Sequence, residues 1–518
     1  MLVAGVDSST QSTKVVLCES ADGRIVGAGS APHPPGTEVN PAAWWAALQQ
    51  AGDGLLGQAA AVGIAGQQHG MVVLDSGGEV IRPALLWNDL RSAGAADELI
   101  RDHGGPAWWA EHTGSVPTAS FTVTKLRWLA EHEPANAARA AAVALPHDWL
   151  SWRIGAGPGG REHAAADRGE AGRSEAGRAG PARLAGLATD RGDASGTGYF
   201  SPAAGDWLPD LAAAALGHPL RLPRVAGPAE VVGETEWGAA VSAGTGDNMA
   251  AALGLGLRRD DVAVSVGTSG TVFAVSDVPA ADPTGAVAGF ADATGRFLPL
   301  VCTVNAGLVM SAAAALLGTD LAGLDALALA ADPGAGGITL LPYLDGERTP
   351  DRPGATGVLS GLTTRNATRE NLARAAVEAV IASLAEAADL LAAQGVTGQR
   401  VLLTGGGARS AAVCRIAPGL FGREVVVPQP AEYVALGAAR QAAWALAGSA
   451  DPPGWPDPAA TSYSGDPQPG VRQRYAELRE NTASWPAASP GPAGTVPGHD
   501  SDDAAGQQRP AREERIRG

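Results

Sequence analysis

The sequence predicts an α/β protein built as two layered halves, and three observations carry that prediction. A hairpin with a polar tip opens the chain and leads through a third strand and a helix to another strand; a comparable order recurs after residue 260; and each half has apolar runs enough for its own core. The 518 residues correspond to about three units at ~150 residues each, or to two large ones with tails. Hydrophobic residues make up 45% and charged ones 18%, so the bulk is globular, while 70 Gly and 37 Pro imply low-complexity stretches.

In the first half, Leu2–Val6 and Lys14–Cys18 are apolar runs around the polar turn Asp7–Thr13, which makes a hairpin. Ile25–Ala28 supplies a third strand after Asp22-Gly23. Asn40-Pro41 then places a capping side chain before a proline suited to the first helical position, and a helix runs to about Gln50. Ala61–Ala65 and Met71–Leu74 read as strands around the loop Gly66-Gln67-Gln68-His69-Gly70.

The second half repeats the order. Val262–Val266, the tip Gly267-Thr268-Ser269-Gly270 and Thr271–Val275 form a hairpin, followed by an extended stretch near Arg296–Val301 and an apolar helix near Asn305–Leu317. Phe297–Thr319 is uncharged over a membrane-spanning length, but Pro299, Asn305 and Gly307 interrupt it, so it reads as a buried strand running into a buried helix. Leu372, Ala376, Val380, Leu384 and Ala388 have helical spacing within Asn371–Gln394, with Gly395 as the stop. A strand Arg400–Leu403, the cluster Gly405-Gly406-Gly407, a helix near Ser410–Leu420, a strand Glu424–Val427 and a last helix from about Tyr433 to Ala447 complete the set.

The expected domains are therefore 1–238, 239–448 and a Pro-rich, largely disordered tail 449–518 with one helix at 472–481. The stretch 155–187 holds only Leu184 and Leu187 as large apolar residues, too few to offset ordering entropy, and is expected to be a mobile insertion.

Charge and cysteine content narrow the function. A net charge of −17 disfavours nucleic-acid and anionic-membrane partners. Cys18, Cys302 and Cys414 lie far apart with no CxxC, which argues against a disulfide or zinc scaffold. MLVAGVDSST has no basic region ahead of an apolar core, so a cytoplasmic location is expected.

The chemistry is concentrated in loops. The two Ser/Thr/Gly hairpin tips, one per half, suit phosphate, because backbone N–H groups approach its oxygens closely and hydroxyls add donors. Asp7 can hold hydrated Mg²⁺ and Lys14 can offset phosphate charge. Gly405 to Gly407 follow a strand and precede a helix, where backbone can lie flat against a nucleotide or simply make a tight turn; the cluster is neither a P-loop nor GxGxxG. Asp247 opens an apolar helical run as a general base, kept ionised by the helix dipole, or as a plain cap. His69, with Trp87-Asn88-Asp89, makes a polyol site, although singly His69 reads as a structural loop histidine and Trp87 as a core aromatic.

The ordered motifs GVDSSTQSTK (5–14), GIAGQQHG (63–70), LLWND (85–89), Gly246-Asp247-Asn248, SVGTSGTVFAV (265–275), LPYLDGERTP (341–350), LLTGGGARS (402–410) and ALGAAR (435–440) resemble the FGGY family of carbohydrate kinases. The resemblance implies two actin-like (ribonuclease H-like) ATPase domains flanking a catalytic cleft, with sugar mainly on the first and ATP mainly on the second. It assigns Asp247 as the base, Asp7 to the Mg²⁺-phosphate region, Thr10 and Lys14 to the first phosphate loop, and Gly267 and Thr268 to the second. It places Gly405, Gly406 and Gly407 at the adenosine, and Gln68, His69, Asp89 and Asn248 with Asp247 on the sugar side. The implied acceptor is D-xylulose, phosphorylated by Mg·ATP on its 5-hydroxyl; another ketose or a polyol, or a non-enzymatic ATPase switch, are the alternatives. A homodimer is common in the family. Two positions depart from the pattern: Ser9 stands where Gly is usual, and Gln68 where Met is frequent.

Overall fold

The computed structural model describes residues 1–155, 184–259 and 261–486. Most of the stretch read as an insertion, 156–183, and the tail beyond 486 lie outside the described residues. Leu184 and Leu187, at the edge of that stretch, are buried in the first core.

Each half is organised around a seven-stranded sheet. In the first, Leu2–Ser8 pairs antiparallel with Ser12–Glu19, which pairs antiparallel with Ile25–Pro32; on its other side it pairs parallel with Ala61–Gly66. Ala61–Gly66 in turn pairs parallel with Ala240–Ser242 and Thr245–Gly246, and Val231–Glu234 closes the edge. The second sheet repeats this plan. Asp261–Val266 is flanked on one side by antiparallel Gly270–Ala274 and then Phe297–Thr303, and on the other by parallel Arg400–Thr404 and then Val425–Pro428. The shared order and directions establish the duplicated actin-like, ribonuclease H-like architecture.

Local sequence explains the elements. Asn40 caps the helix Pro41–Ala51 by accepting from the N–H of Ala42, and Thr368 caps Arg369–Ala393 by accepting from Asn371. The latter helix buries Ala373, Val377, Val380, Leu384 and Leu391 in the second core, each large side chain contributing roughly 1.5–3 kcal/mol of burial. The uncharged stretch resolves into the strand Phe297–Thr303 and the helix Gly307–Leu316. Among the described residues no single helix is long and apolar enough to cross a membrane.

Two expected boundaries are corrected. The division at 238/239 falls inside the first sheet, because Ala240–Ser242 and Thr245–Gly246 hydrogen-bond to Ala61–Gly66. These strands are two and three residues long, too short to leave a periodic signal. The tail is not disordered as far as residue 486. Ala460–Tyr463 adds an edge strand to the second sheet, and Pro469–Asn481 is a helix that sinks Val471 and Tyr475 into the core. Backbone pairing, rather than apolar content, holds the polar strand in place.

The helix Tyr433–Ala447 belongs to the second half by sequence but packs on the first sheet. A Cβ on Gly5 would meet the carbonyl oxygen of Ala435 at 1.9 Å, and one on Gly63 that of Ala438 at 2.1 Å. Glycine at both positions lets helix and strands touch backbone to backbone. A core containing Met71, Phe121 and Met249 together with Phe273, Phe290 and Leu298 runs continuously from one half to the other.

Candidate active site

The register brings the motifs together. Ser8 lies beside Gly66, and Gly66 beside Gly246, so three parallel strands end at one level. Asp7 and the Ser9-Thr10 tip, the Gln67-Gln68-His69 loop and Asp247 all emerge from that edge, where open α/β sheets place their ligands. In the second sheet Ser265 lies beside Thr404, which sets the Gly267-Thr268 tip next to the glycine cluster.

Asp247 begins the helix Asp247–Gly254, and its Oδ1 accepts from the backbone N–H and Nδ2 of Asn248, both at 2.8 Å. Asn248 Nδ2 also donates to Gln68 Oε1 at 3.2 Å, so Gln68, Asp247 and Asn248 form one group. The expectation that the helix dipole keeps Asp247 ionised is corrected: burial first, then the charges of Asp7 and Asp193, push its carboxyl up to about 7. Asp7 is likewise pushed up to about 6 by burial, which outweighs a 2.6 Å hydrogen bond from Ser9 and the charge of Lys14.

The loop histidine is held on all sides. His69 has φ 68°, donates from Nδ1 to the carbonyl oxygen of Gly196 at 2.6 Å, and its own carbonyl accepts from Thr122 Oγ1 at 3.1 Å. Its ring packs 4.8 Å from Phe121 and 5.8 Å from Phe290 of the second half. Burial lowers its pKa to about 3, so the ring is neutral, with Nε2 left as an acceptor.

The remaining first-half residues divide between cleft and scaffold. Trp87 is 38% exposed rather than a core aromatic, and its Nε1 donates to Thr10 Oγ1 at 2.9 Å. Asp89 accepts from Thr37 Oγ1 at 2.8 Å and from the backbone and Nε of Arg91 at 3.0 and 2.8 Å. Burial pulls the Asp89 carboxyl upward, but these bonds hold it below its ordinary value. Both oxygens are thus engaged within the protein, which fits a residue that fixes the loop. Lys14 pairs with Glu432 at 2.7 Å, tying the first hairpin to the start of the helix Tyr433–Ala447.

In the second half, Gly405 has φ 81°, and a Cβ there would meet the backbone of Val266 at 2.7 Å. A Cβ on Gly407 would strike the Val266 side chain at 2.4 Å, whereas Gly406 faces open space. The cluster therefore lies flat on the end of the neighbouring strand. The carbonyl of Gly267 accepts from the N–H of Gly307 at 2.8 Å and that of Thr268 from Leu308 at 3.3 Å, which anchors the exposed Thr268 tip on the helix Gly307–Leu316.

Ser8, Gln67 as a site residue, and Lys125 escaped the sequence reading. Ser8 Oγ, both amide atoms of Gln67, Gln68 Nε2 and Asn88 Oδ1 are buried without partners, a run of unpaired polar atoms along the expected sugar and phosphate loops. Lys125 is fully buried, donates to the carbonyls of Ala119 and Ser120, and is pushed down to about 7 by burial. No motif announced it. Position within GQQHG is the only signal that Gln67 offered.

The duplicated sheets and the loops at their carboxyl edges define a small-molecule kinase of the actin-like class. The model for the FGGY family of carbohydrate kinases matches in its N-terminal domain over residues 2–176 and in its C-terminal domain over 262–446. A xylulose kinase from Streptomyces rubiginosus is 45% identical over 93% of this chain and 94% of its own, and one from Streptomyces coelicolor is 46% identical over 86% and 88%. The crystal structure of a xylulose kinase from Bifidobacterium adolescentis, 44% identical, matches with a TM-score of 0.84 over 92% of this chain and 99% of that one. The chain belongs to the FGGY family of carbohydrate kinases.

Proposed function

We propose that the protein transfers the γ-phosphoryl group of Mg·ATP to the 5-hydroxyl of D-xylulose, giving D-xylulose 5-phosphate and ADP. The observation that carries the reading is the convergence of Asp7, the Gln67–His69 loop and Asp247 on the ends of three adjacent parallel strands. The likeness to xylulose kinases over nearly the whole chain supports the choice of sugar.

Asp247 accepts the hydroxyl proton as the oxygen–phosphorus bond forms and the bond to the ADP oxygen breaks. A carboxyl pushed up to about 7 is matched to that task, being ionised often enough to act and basic enough to take the proton. Asn248 holds Asp247 Oδ1 from two donors and so fixes which oxygen faces the sugar. Neutral His69 and the unpaired amides of Gln67 and Gln68 give the sugar hydroxyls an acceptor and donors. Thr10, Lys14, Gly267 and Thr268 bind phosphate oxygens, and Gly405 to Gly407 receive the adenosine.

The donor set suits Mg²⁺. Asp7 is a hard oxygen ligand whose carboxyl is pushed up by burial, a state that a divalent cation relieves. Asp7 would hold it, and when bound it supplies charge compensation for the transferring phosphoryl group.

The test is product identity. Phosphorus-31 NMR of the reaction with D-xylulose is expected to show one monophosphate ester coupled to the C5 protons. Phosphate on another carbon, or inorganic phosphate alone, would contradict the reading.

A further inference from the structure

Against the ends of the same strands sits a second polar cluster that the mechanism does not use. His147, on the helix Pro146–Ile154, is wholly buried and lies against Gly66 and Gly244: a Cβ on Gly244 would meet its Cδ2 at 2.4 Å, and one on Gly66 its Cβ at 3.0 Å. Its Nδ1 donates to Asp193 Oδ2 at 2.5 Å, and its Nε2 lies 3.2 Å from Asp148 Oδ1. Asp148 also accepts from the N–H of Leu145 at 2.8 Å. Asp190 caps the short helix Arg191–Ala194, accepting from the N–H groups of Gly192 and Asp193 at 3.0 and 2.8 Å. Its Oδ2 then accepts from Thr245 Oγ1 at 2.7 Å. Thr245 is two residues before Asp247, on the strand that delivers it. Tyr199 also lies in the field of Asp148 and Asp193, and Asp190 and Asp247 lie in that of Asp193.

The His147 cation favours the ionised forms of all three buried carboxylates beside it. Burial opposes the imidazolium, but Asp148 and Asp193 hold it up to about 9, while burial pushes Asp148 up to about 7 and Asp190 up to about 6. Without the cation the carboxylates would take up protons, and Asp190 would lose strength as an acceptor for Thr245. Among the described residues His147, Asp148 and Asp193 are also the one group whose ligand atoms gather within 4.8 Å. His147 Nε2 and Asp148 Oδ1 approach as an ion pair without a hydrogen bond, and Asp193 Oδ1 is likewise buried without a partner.

We propose that His147, Asp193 and Asp190 form a buried positioning network that fixes Asp247 for proton transfer through Thr245. The inference rests on the reading of Asp247 as the base. It makes His147 a positioning residue, acting through Thr245 rather than on substrate.

The test is steady-state kinetics of full-length Thr245→Val, which removes the bridging hydroxyl at nearly constant volume. The expected result is a kcat lowered about tenfold, with KM for ATP and for sugar within roughly twofold and thermal stability nearly unchanged. His147→Gln should lower kcat by no more than Thr245→Val does, and His147→Lys, which keeps a cation between Asp148 and Asp193, should recover part of the loss. Unchanged kcat in Thr245→Val would overturn the network, as would a loss carried by KM alone or stoichiometric transition metal in the purified protein. Should the glutamine variant not fold, Thr245→Val decides alone. Asp247→Asn, assayed in parallel, separates the two ideas: full turnover there removes the base, whereas its loss beside a normal Thr245→Val removes only the network.

Discussion

Two carboxyls, Asp7 and Asp247, are held in one cleft against the electrostatic preference of each. Replacing Asp247 by Asn is expected to lower kcat by about 10²–10⁴-fold, with KM for ATP changed by less than about threefold. The same substitution should stabilise the protein in the absence of Mg²⁺. A carboxyl raised from 3.8 to about 7 gives stability that is complete below its unfolded value and is lost as pH rises through the folded one. Asp247→Asn should therefore match the parent near pH 4 and exceed it in Tm by on the order of 2 °C at pH 8, measured by calorimetry. A variant less stable at pH 8 than at pH 4, relative to the parent, would show that the carboxylate is favoured by its surroundings. At this scale the sequence located Asp7, Gln68, His69 and Asp247, because each sits in a short polar motif at a strand end. It did not locate His147, Asp190 and Asp193, which stand up to 46 residues apart and meet only by folding. The spacing of Asp190 and Asp193 was the available signal, an acidic cap on a single helical turn.

The elements with the clearest sequence signals are those with large apolar faces or strong caps. Asn40 and Ser410 each mark the start of a helix, and each accepts a backbone N–H in the structure. Strands held by backbone pairing alone gave no signal: Thr245–Gly246 has two residues, and Ala460–Tyr463 is polar and mostly exposed. Packing of the helix Tyr433–Ala447 was equally silent, since the glycines that permit it are scattered among Gly5, Gly63, Gly254 and Gly437. A Cβ on Gly437 would stand 1.8 Å from the carbonyl oxygen of Ala250, within the helix that begins at Asp247. Backbone cannot yield there as a side-chain tip would. Gly437→Ala is expected to destabilise the protein by roughly 1–3 kcal/mol in denaturant titration and to lower kcat by displacing Asp247. A variant with unchanged midpoint would mean that the two helices separate at little cost.

Across the whole molecule, the two halves are joined at several points. Strand Ala288–Ala291 of the second half donates from Gly289 to the carbonyl of Gly114 at 2.9 Å and from Ala291 to Ser195 Oγ at 3.0 Å. Phe290, on the same strand, packs against the His69 ring, so the two halves share a wall. Lys14 and Glu432 add a charged tie at the first phosphate loop. The most direct test of the central claim is ADP release from Mg·ATP, followed by a coupled assay, across D-xylulose, D-ribulose, L-ribulose, L-xylulose, glycerol and xylitol with a sugar-free blank. Fast release is expected with D-xylulose, much slower release with the others and little in the blank. Release independent of sugar, or strongest with another acceptor, would contradict it.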